Sequence, residues 1–383
     1  PMAQTPSAPT PAQPFAPDWR MLAGWDVFTS KGCGRCHALR GSGPVVGPDL
    51  GRVTSERSFF DVGAALWNHL PRMGEQMRAA GIERPKLTAR EMNDLIAFVF
   101  TAQYFDAGGD ARLGARVFTA KGCAQCHAVG GQGGQVGPPL DVLKRANSPV
   151  LVAAAMWNHG PKMAEVMQAR GIPRPTLRDK EMLDLIAYVV SAASDPGGDT
   201  AQVVPGTPER GQQIFAERKC AACHAVGGKG PSVGPDLGRS GHHLSLTAFA
   251  ARMWNHGPAM WAKMKERGIE VPQLGGQEMA DILAYLYTAH YFEQRGHVGR
   301  GAKLVRERGC TSCHSVRGQG GTAAADFAKS TVVGTPASVI AAMWNHAGLM
   351  EAKSEKTSVP LPQLTGQELA DITSYLGSLA KSK

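Results

Sequence analysis

No run of apolar residues in this chain approaches the roughly 20 needed to cross a bilayer as a helix, and nowhere do five or six charges of one sign stand together. The first absence leaves any attachment to a membrane to a tether. The second undercuts a nucleic-acid or membrane-surface reading of the formal charge of +9, because Lys and Arg are scattered as on an ordinary solvated surface. Cysteine is scarce too: eight in 383 residues, all of them in four close pairs. None is left for a structural disulfide or a free nucleophile. No basic, apolar and small-residue leader opens the chain, which begins at Pro1, so any export signal is expected to have gone already. What remains is a globular composition, 43% hydrophobic and 19% charged, with length for about two to four domains.

The four pairs share one pattern. Cys33-Gly-Arg-Cys36-His37 returns as Cys123-Ala-Gln-Cys126-His127, Cys220-Ala-Ala-Cys223-His224 and Cys310-Thr-Ser-Cys313-His314. C-x-x-C-H is the attachment signature of c-type haem. Two thiols add to the vinyl groups of one porphyrin, and the adjoining His gives a nitrogen to the iron. Two intervening residues let both sulfurs reach neighbouring pyrroles and bring the next residue under the metal. A lone C-x-x-C can be a redox dithiol or half a zinc site, but zinc would need two motifs on one ion and would leave four His without a role. The expected cofactors are four haem c. Each ferric haem c carries about one net negative charge with both propionates ionised, which offsets about half of the +9.

A fourfold repeat follows. The first cysteines step by 90, 97 and 90 residues, and a second motif, Trp-Asn-His, keeps pace at Trp67, Trp157, Trp254 and Trp344. From haem-motif His to Trp-Asn-His His the separation is 32 residues in every repeat, which suggests that both ends touch the same object. Such long periods indicate serial domains. The reading is residues 1–17 as a Pro-rich spacer, domains at 18–106, 107–194, 207–292 and 293–383, and a linker at 195–206.

Each repeat has one plan: a helix, the haem motif, a Gly/Pro-rich loop, a helix into Trp-Asn-His, and a closing helix. Pro71, Pro161 and Pro258 predict a break two residues after the His. Met92, Leu95, Ile96 and Val99 form an apolar stripe on the closing helix, with Thr88 and Glu91, and Thr365 and Glu368, at capping-box spacing. Gly24, Gly114, Gly211 and Gly301 predict a close crossing of the first and last helices, with Phe28, Phe118, Phe215 or Val305 and the closing-helix aromatics packed around it.

These features resemble the class I c-type cytochromes over about residues 18–383, as four copies. The resemblance carries the haem motif after an N-terminal helix, the Gly-Pro-x-Leu loop and the aromatic last helix. It implies an all-α fold of four small domains, each wrapped around one covalent haem. It also implies that the carbonyls of Pro48, Pro138 and Pro235 accept a hydrogen bond from the proximal imidazole. Repeat four reads Ala324-Ala325-Asp326-Phe327 there, so Ala325 would have to serve.

Proximal ligands are expected at His37, His127, His224 and His314. For the sixth ligand the His of Trp-Asn-His (His69, His159, His256, His346) competes with a Met 36 residues after the proximal His: Met73, Met163, Met260 and Met350. Position in the family and placement after a helix break favour Met, a ligand that raises the potential relative to a second imidazole. The four Trp are expected to pack on the haem pockets with their indole N–H bonded. His242, His243, His290 and His297 recur nowhere and read as surface or loop residues.

Repeats one and three share Gly47-Pro-Asp-Leu-Gly-Arg52 and Gly234-Pro-Asp-Leu-Gly-Arg239, while two and four share Gly-Gln-Gly-Gly, so the chain reads as a duplicated two-domain unit. With haem attachment outside the cytoplasm, the expectation is a periplasmic or otherwise exported electron carrier between redox proteins, not an enzyme. A multihaem oxidoreductase acting on a small substrate at a displaceable ligand is the rival. A haem sensor is a third reading, which lacks an appended signalling domain.

Overall fold

The computed structural model describes residues 18–39, 41–51, 58–102, 104, 108–144, 148–194, 206–239, 245–330 and 334–381. The spacer at 1–17, all but one residue of the linker at 195–206, and His242 and His243 lie outside them.

Repeat one contributes α1 (Asp18–Ser30), α2 (Phe59–Asn68), α3 (Leu70–Ala79) and α4 (Ala89–Ala102). Repeat two has α5 (Ala111–Ala120), α6 (Pro149–Ala169) and α7 (Asp179–Ala192). Repeat three has α8 (Pro208–Glu217), α9 (Leu246–Glu266) and α10 (Gly276–Tyr291). Repeat four has α11 (Val298–Glu307), α12 (Pro336–Asn345), α13 (Ala347–Thr357) and α14 (Gly366–Lys381). Small hairpins, Ala128–Val129 with Gln132–Gly133 and Ser315–Val316 with Gln319–Gly320, interrupt an otherwise helical fold.

The first and last helices of every repeat cross where glycine leaves room. A Cβ on Gly24, Gly114, Gly211 or Gly301 would lie 2.2, 1.9, 1.9 or 2.0 Å from the carbonyl oxygen of Asp94, Asp184, Asp281 or Asp371. Beside these crossings Phe28 packs on Phe98 at 5.5 Å, Phe118 on Tyr188 at 5.5 Å and Phe215 on Tyr285 at 5.8 Å. Three of the four buried Asp then accept from the backbone N–H that opens the first helix: Asp110 to Asp184, Thr207 to Asp281 and His297 to Asp371, at 2.7–2.8 Å.

The predicted breaks at proline are found only in part. Helices α6 and α9 run through Pro161 and Pro258, whereas repeat one breaks at His69. Proline crowds the Cβ of the residue before it; Gly160 and Gly257 have none, while Leu70 has. Repeat four breaks at His346 with Ala347-Gly348 following, so proline is not the cause there.

The packing divides the chain into two compact units. Repeats two and three (Tyr104–Ala289) form one, and repeats one (Trp19–Gln103) and four (His290–Lys383) form the other. This corrects the expectation of a front half and a back half. The cause is visible in Trp-Asn-His, whose first two residues reach into the other repeat of the same unit. Trp157 Nε1 donates to Pro272 O and Trp254 Nε1 to Pro175 O, both at 2.8 Å. In the other unit Trp67 donates to Pro362 O at 2.8 Å and Trp344 to Pro85 O at 2.7 Å. Each exchange is reciprocal, as in an isologous dimer interface.

Candidate functional site

The haem motif enters its tight turn through a left-handed residue: Gly32, Gly122, Lys219 or Gly309, at φ 78, 77, 65 and 77°. The His N–H then closes onto the carbonyl of the first Cys at 2.9–3.0 Å in all four repeats. Burial pushes the Cys33 and Cys220 thiols up to about 11 and raises Cys123 and Cys310 as well.

Each proximal imidazole is oriented by one backbone contact. His37 Nδ1 donates to Pro48 O at 3.0 Å, His127 to Pro138 O at 2.9 Å and His224 to Pro235 O at 3.0 Å. That bond fixes the tautomer and leaves Nε2 for the metal. In these three repeats glycine lies against the imidazole: a Cβ on Gly47, Gly137 or Gly234 would stand 2.6, 2.5 or 2.5 Å from the ring. Repeat four, with Ala324 in that place, keeps the bond through Ala325 O at 2.9 Å. There Phe327, replacing Leu, stacks on His314 at 4.4 Å and 15°. The loop is pinned by Asp326, which accepts from the N–H of Gly318, Ala328 and Arg317 at 2.7–3.1 Å. Asp236 does the same in repeat three, with Gly227, Gly228 and Gly238.

Repeat two encloses a cavity of about 440 Å³. Cys123, Cys126 and His127 line one side, and Met156, His159, Met163 and Met167 of α6 another. Val136 and Val142, 46% and 58% exposed, also line it, apolar side chains presented for a ligand to cover. The thiol pair, the oriented imidazole and the apolar walls fit haem. Trp254, from repeat three, forms part of the wall. Each of the four indole N–H groups is bonded, and the acceptor lies across the seam in the other repeat of the unit.

The sixth-ligand candidates differ in setting. Met73, Met163, Met260 and Met350 are half-buried in all four repeats, whereas His159 and His256 are exposed and His69 and His346 half-buried. His159 Nδ1 donates to Ala155 O on its own helix at 3.0 Å, and His69 bonds Ala65 O likewise. His290 is fully buried rather than on the surface, its Nδ1 2.9 Å from Glu293, and His297 caps α11. Among the described residues no three His, Cys, Asp or Glu side chains are grouped to hold a metal. Nor is any described helix long and apolar enough to cross a membrane.

The family model for cytochrome c matches residues 22–103, 111–193, 208–290 and 298–380. The chain belongs to the cytochrome c family. Its four C-x-x-C-H motifs, one in each matched segment, give four covalently bound haem c. A curated relative, the Cbb3-type cytochrome c oxidase subunit FixP of Sinorhizobium medicae (strain WSM419), is 28% identical over 189 residues. The match covers 46% of this chain and 59% of that relative, so the chain spans less than two thirds of it. No solved structure matches.

The residues that sequence reasoning missed are the acceptors of the seam. Pro85, Pro175, Pro272 and Pro362 each begin a Pro-x-Leu, a third recurring motif that was there to be read.

Proposed function

We propose that this tetrahaem cytochrome carries electrons between exported or membrane-bound redox proteins, with His/Met coordination at each iron. The bound haem supplies a one-electron iron couple. The chain's own residues set its environment: the Pro or Ala carbonyl orients the imidazole, and apolar walls exclude water. The observation that carries the reading is the uniformity of the four sites, with the same imidazole contact in every repeat and Met at one burial in all four. A catalytic haem would call for one repeat built differently at its sixth position.

Bis-His coordination is the second reading. It is favoured by the Nδ1 bond of His159 to Ala155 O, which leaves Nε2 for a metal. Near-infrared spectra of the oxidised protein decide between them, since a thioether ligand gives a weak sulfur-to-iron band there. Met163→Ala should abolish one quarter of that band and lower one potential, while His159→Ala leaves the iron low-spin; the reverse pattern would make this a bis-His carrier. Rapid carbon monoxide or cyanide binding by one haem of the untreated protein, with turnover of a small substrate, would replace the carrier reading by the enzymatic one.

A further inference from the structure

Repeat four is built differently on the side of the proximal imidazole. Thirteen residues after the haem-motif His the other repeats have Leu50, Leu140 and Leu237, and repeat four has Phe327. Five residues before the first Cys the exchange runs the other way, with Val305 in the place of Phe28, Phe118 and Phe215. In repeat two both positions belong to the cavity wall, which Phe118 and Leu140 line. Repeat four has thus moved one aromatic ring from the first helix to the loop that orients the imidazole.

That ring lies on the imidazole itself. Phe327 is stacked on His314, with 15° between the planes and 4.4 Å between the centroids. The other ties of the loop match those of its siblings. Ala324 N–H donates to Cys313 O at 2.9 Å, as Gly47, Gly137 and Gly234 do to Cys36, Cys126 and Cys223 at 2.7–2.8 Å. Ala325 O accepts from His314 Nδ1 at 2.9 Å, against 2.9–3.0 Å for the three prolines. Yet Ala324 carries a Cβ that in the other repeats would stand 2.5–2.6 Å from the ring, so ring and loop are set differently against each other here. The hydrogen bond is kept, and the face contact is new.

We propose that Phe327 tunes haem four through its proximal ligand, lowering the potential of that haem and fixing the plane of the imidazole. Ferric iron draws more charge from its imidazole than ferrous iron does. The negative face of a stacked benzene ring attracts the more positive partner, so it favours the oxidised state. The leucines of the other repeats offer no such face. At a half-buried position such as that of Phe327, an attraction of this kind changes a one-electron equilibrium about two- to fivefold. Phe327 is a positioning residue, acting through His314. The inference rests on His314 as the ligand of the haem in repeat four, whichever of Met350 and His346 stands opposite.

The test is a potentiometric titration of the four-haem protein, with haem methyl resonances assigned to separate the irons. The hyperfine-shifted ring protons of His314 are read first in the wild type; their absence would remove the ligand, and the proposal with it. Phe327→Leu, which copies the other repeats, should raise the reduction constant of haem four about two- to fivefold. It should also alter the spread of the methyl shifts of haem four, which follows the imidazole plane, and leave haems one to three as they were. Phe327→Tyr keeps the ring face and should retain both wild-type values. The converse change, Leu140→Phe with Phe118→Val, should lower the constant of haem two by the same factor, and decides the matter if Phe327→Leu does not fold. A folded, less stable Phe327→Leu protein with its potential and methyl shifts unchanged would make the ring mere packing and overturn the proposal. So would a lowered potential, or an equal shift in all four haems.

Discussion

Asn158 and Leu274 exchange both of their hydrogen bonds: Asn158 Nδ2 donates to Leu274 O, and Leu274 N–H donates to Asn158 Oδ1, each at 2.8 Å. Asn255 and Leu177 repeat the exchange in the other direction at 2.7 and 2.9 Å. Asn68 with Leu364, and Asn345 with Leu87, do so in the other unit at 2.8 Å throughout. The side chain thus behaves as an added strand edge, satisfying one backbone donor and one acceptor that packing would otherwise leave dry.

Asn158→Ala should destabilise the repeat two–three unit by about 2 kcal/mol or more, because a partly buried N–H and C=O lose their partners together. Asn158→Asp keeps the acceptor but turns a carboxylate oxygen on Leu274 O, so it should cost at least as much. Thermal unfolding followed by the haem bands would measure both. An effect below about 0.5 kcal/mol for Ala would show that the exchange adds little.

Cutting the chain within 195–206 should not separate it into halves. Repeat two stays clamped to repeat three, and repeat one to repeat four, so both seams hold the two fragments together. The nicked protein should elute as one species in native gel filtration and as two bands on a denaturing gel. Two freely separating dihaem fragments would contradict the seams.

Acid should loosen the loop of repeat four late. Asp326 is held down to about 2, chiefly by the N–H of Gly318 and then those of Ala328 and Arg317, against the opposing effect of burial. A depressed carboxyl stabilises fully above its unfolded value of about 3.9 and loses that contribution as pH falls through its folded value. The environment of haem four should therefore stay constant down to about pH 4 and change between there and about pH 2. Asp326→Asn should abolish that acid step in the resonances of haem four; a step that persists in the variant would assign it to another group.

Two glycines should respond unequally to alanine. A Cβ on Gly114 would lie 1.9 Å from Asp184 O, a backbone atom that cannot give way. Gly114→Ala should cost about 3 kcal/mol or more, or prevent folding. Gly171, at φ +64°, meets nothing within 4 Å, so Gly171→Ala should cost only the left-handed penalty of about 1–2 kcal/mol. Denaturant unfolding of the two variants checks the contrast.

The helix crossings were legible because they rest on local patterns: glycine and an aromatic four residues apart, and an apolar stripe on the closing helix. The cofactor was legible because C-x-x-C-H is itself the chemistry. What could not be read was which repeat pairs with which. All four repeats carry the same Trp, Asn and Pro-x-Leu, so every pairing satisfies the pattern equally. The constant 32-residue spacing between the two His marks Trp-Asn-His as a recurring unit without telling that Trp67 and Asn68 spend their hydrogen bonds on repeat four. The unlike neighbours of Arg84 and Arg174, a glutamate in one unit and an indole in the other, are one chemical difference between the seams. The course of α6 and α9 through proline turned on the single residue before it.

The seam of repeats one and four also sets an order of events as the chain folds. Trp157 finds its acceptor 115 residues downstream, but Trp67 must wait for Pro362, 295 residues away. At about 5–20 residues per second, repeat one emerges first and waits roughly 15 to 60 s for its partner. For that interval its indole and its apolar seam stand beside repeat two, which carries the same clamp and arrives earlier. Of the four repeats the first to be made is the last to be finished, and the misassembly to guard against is the sequential pairing that the mature fold avoids.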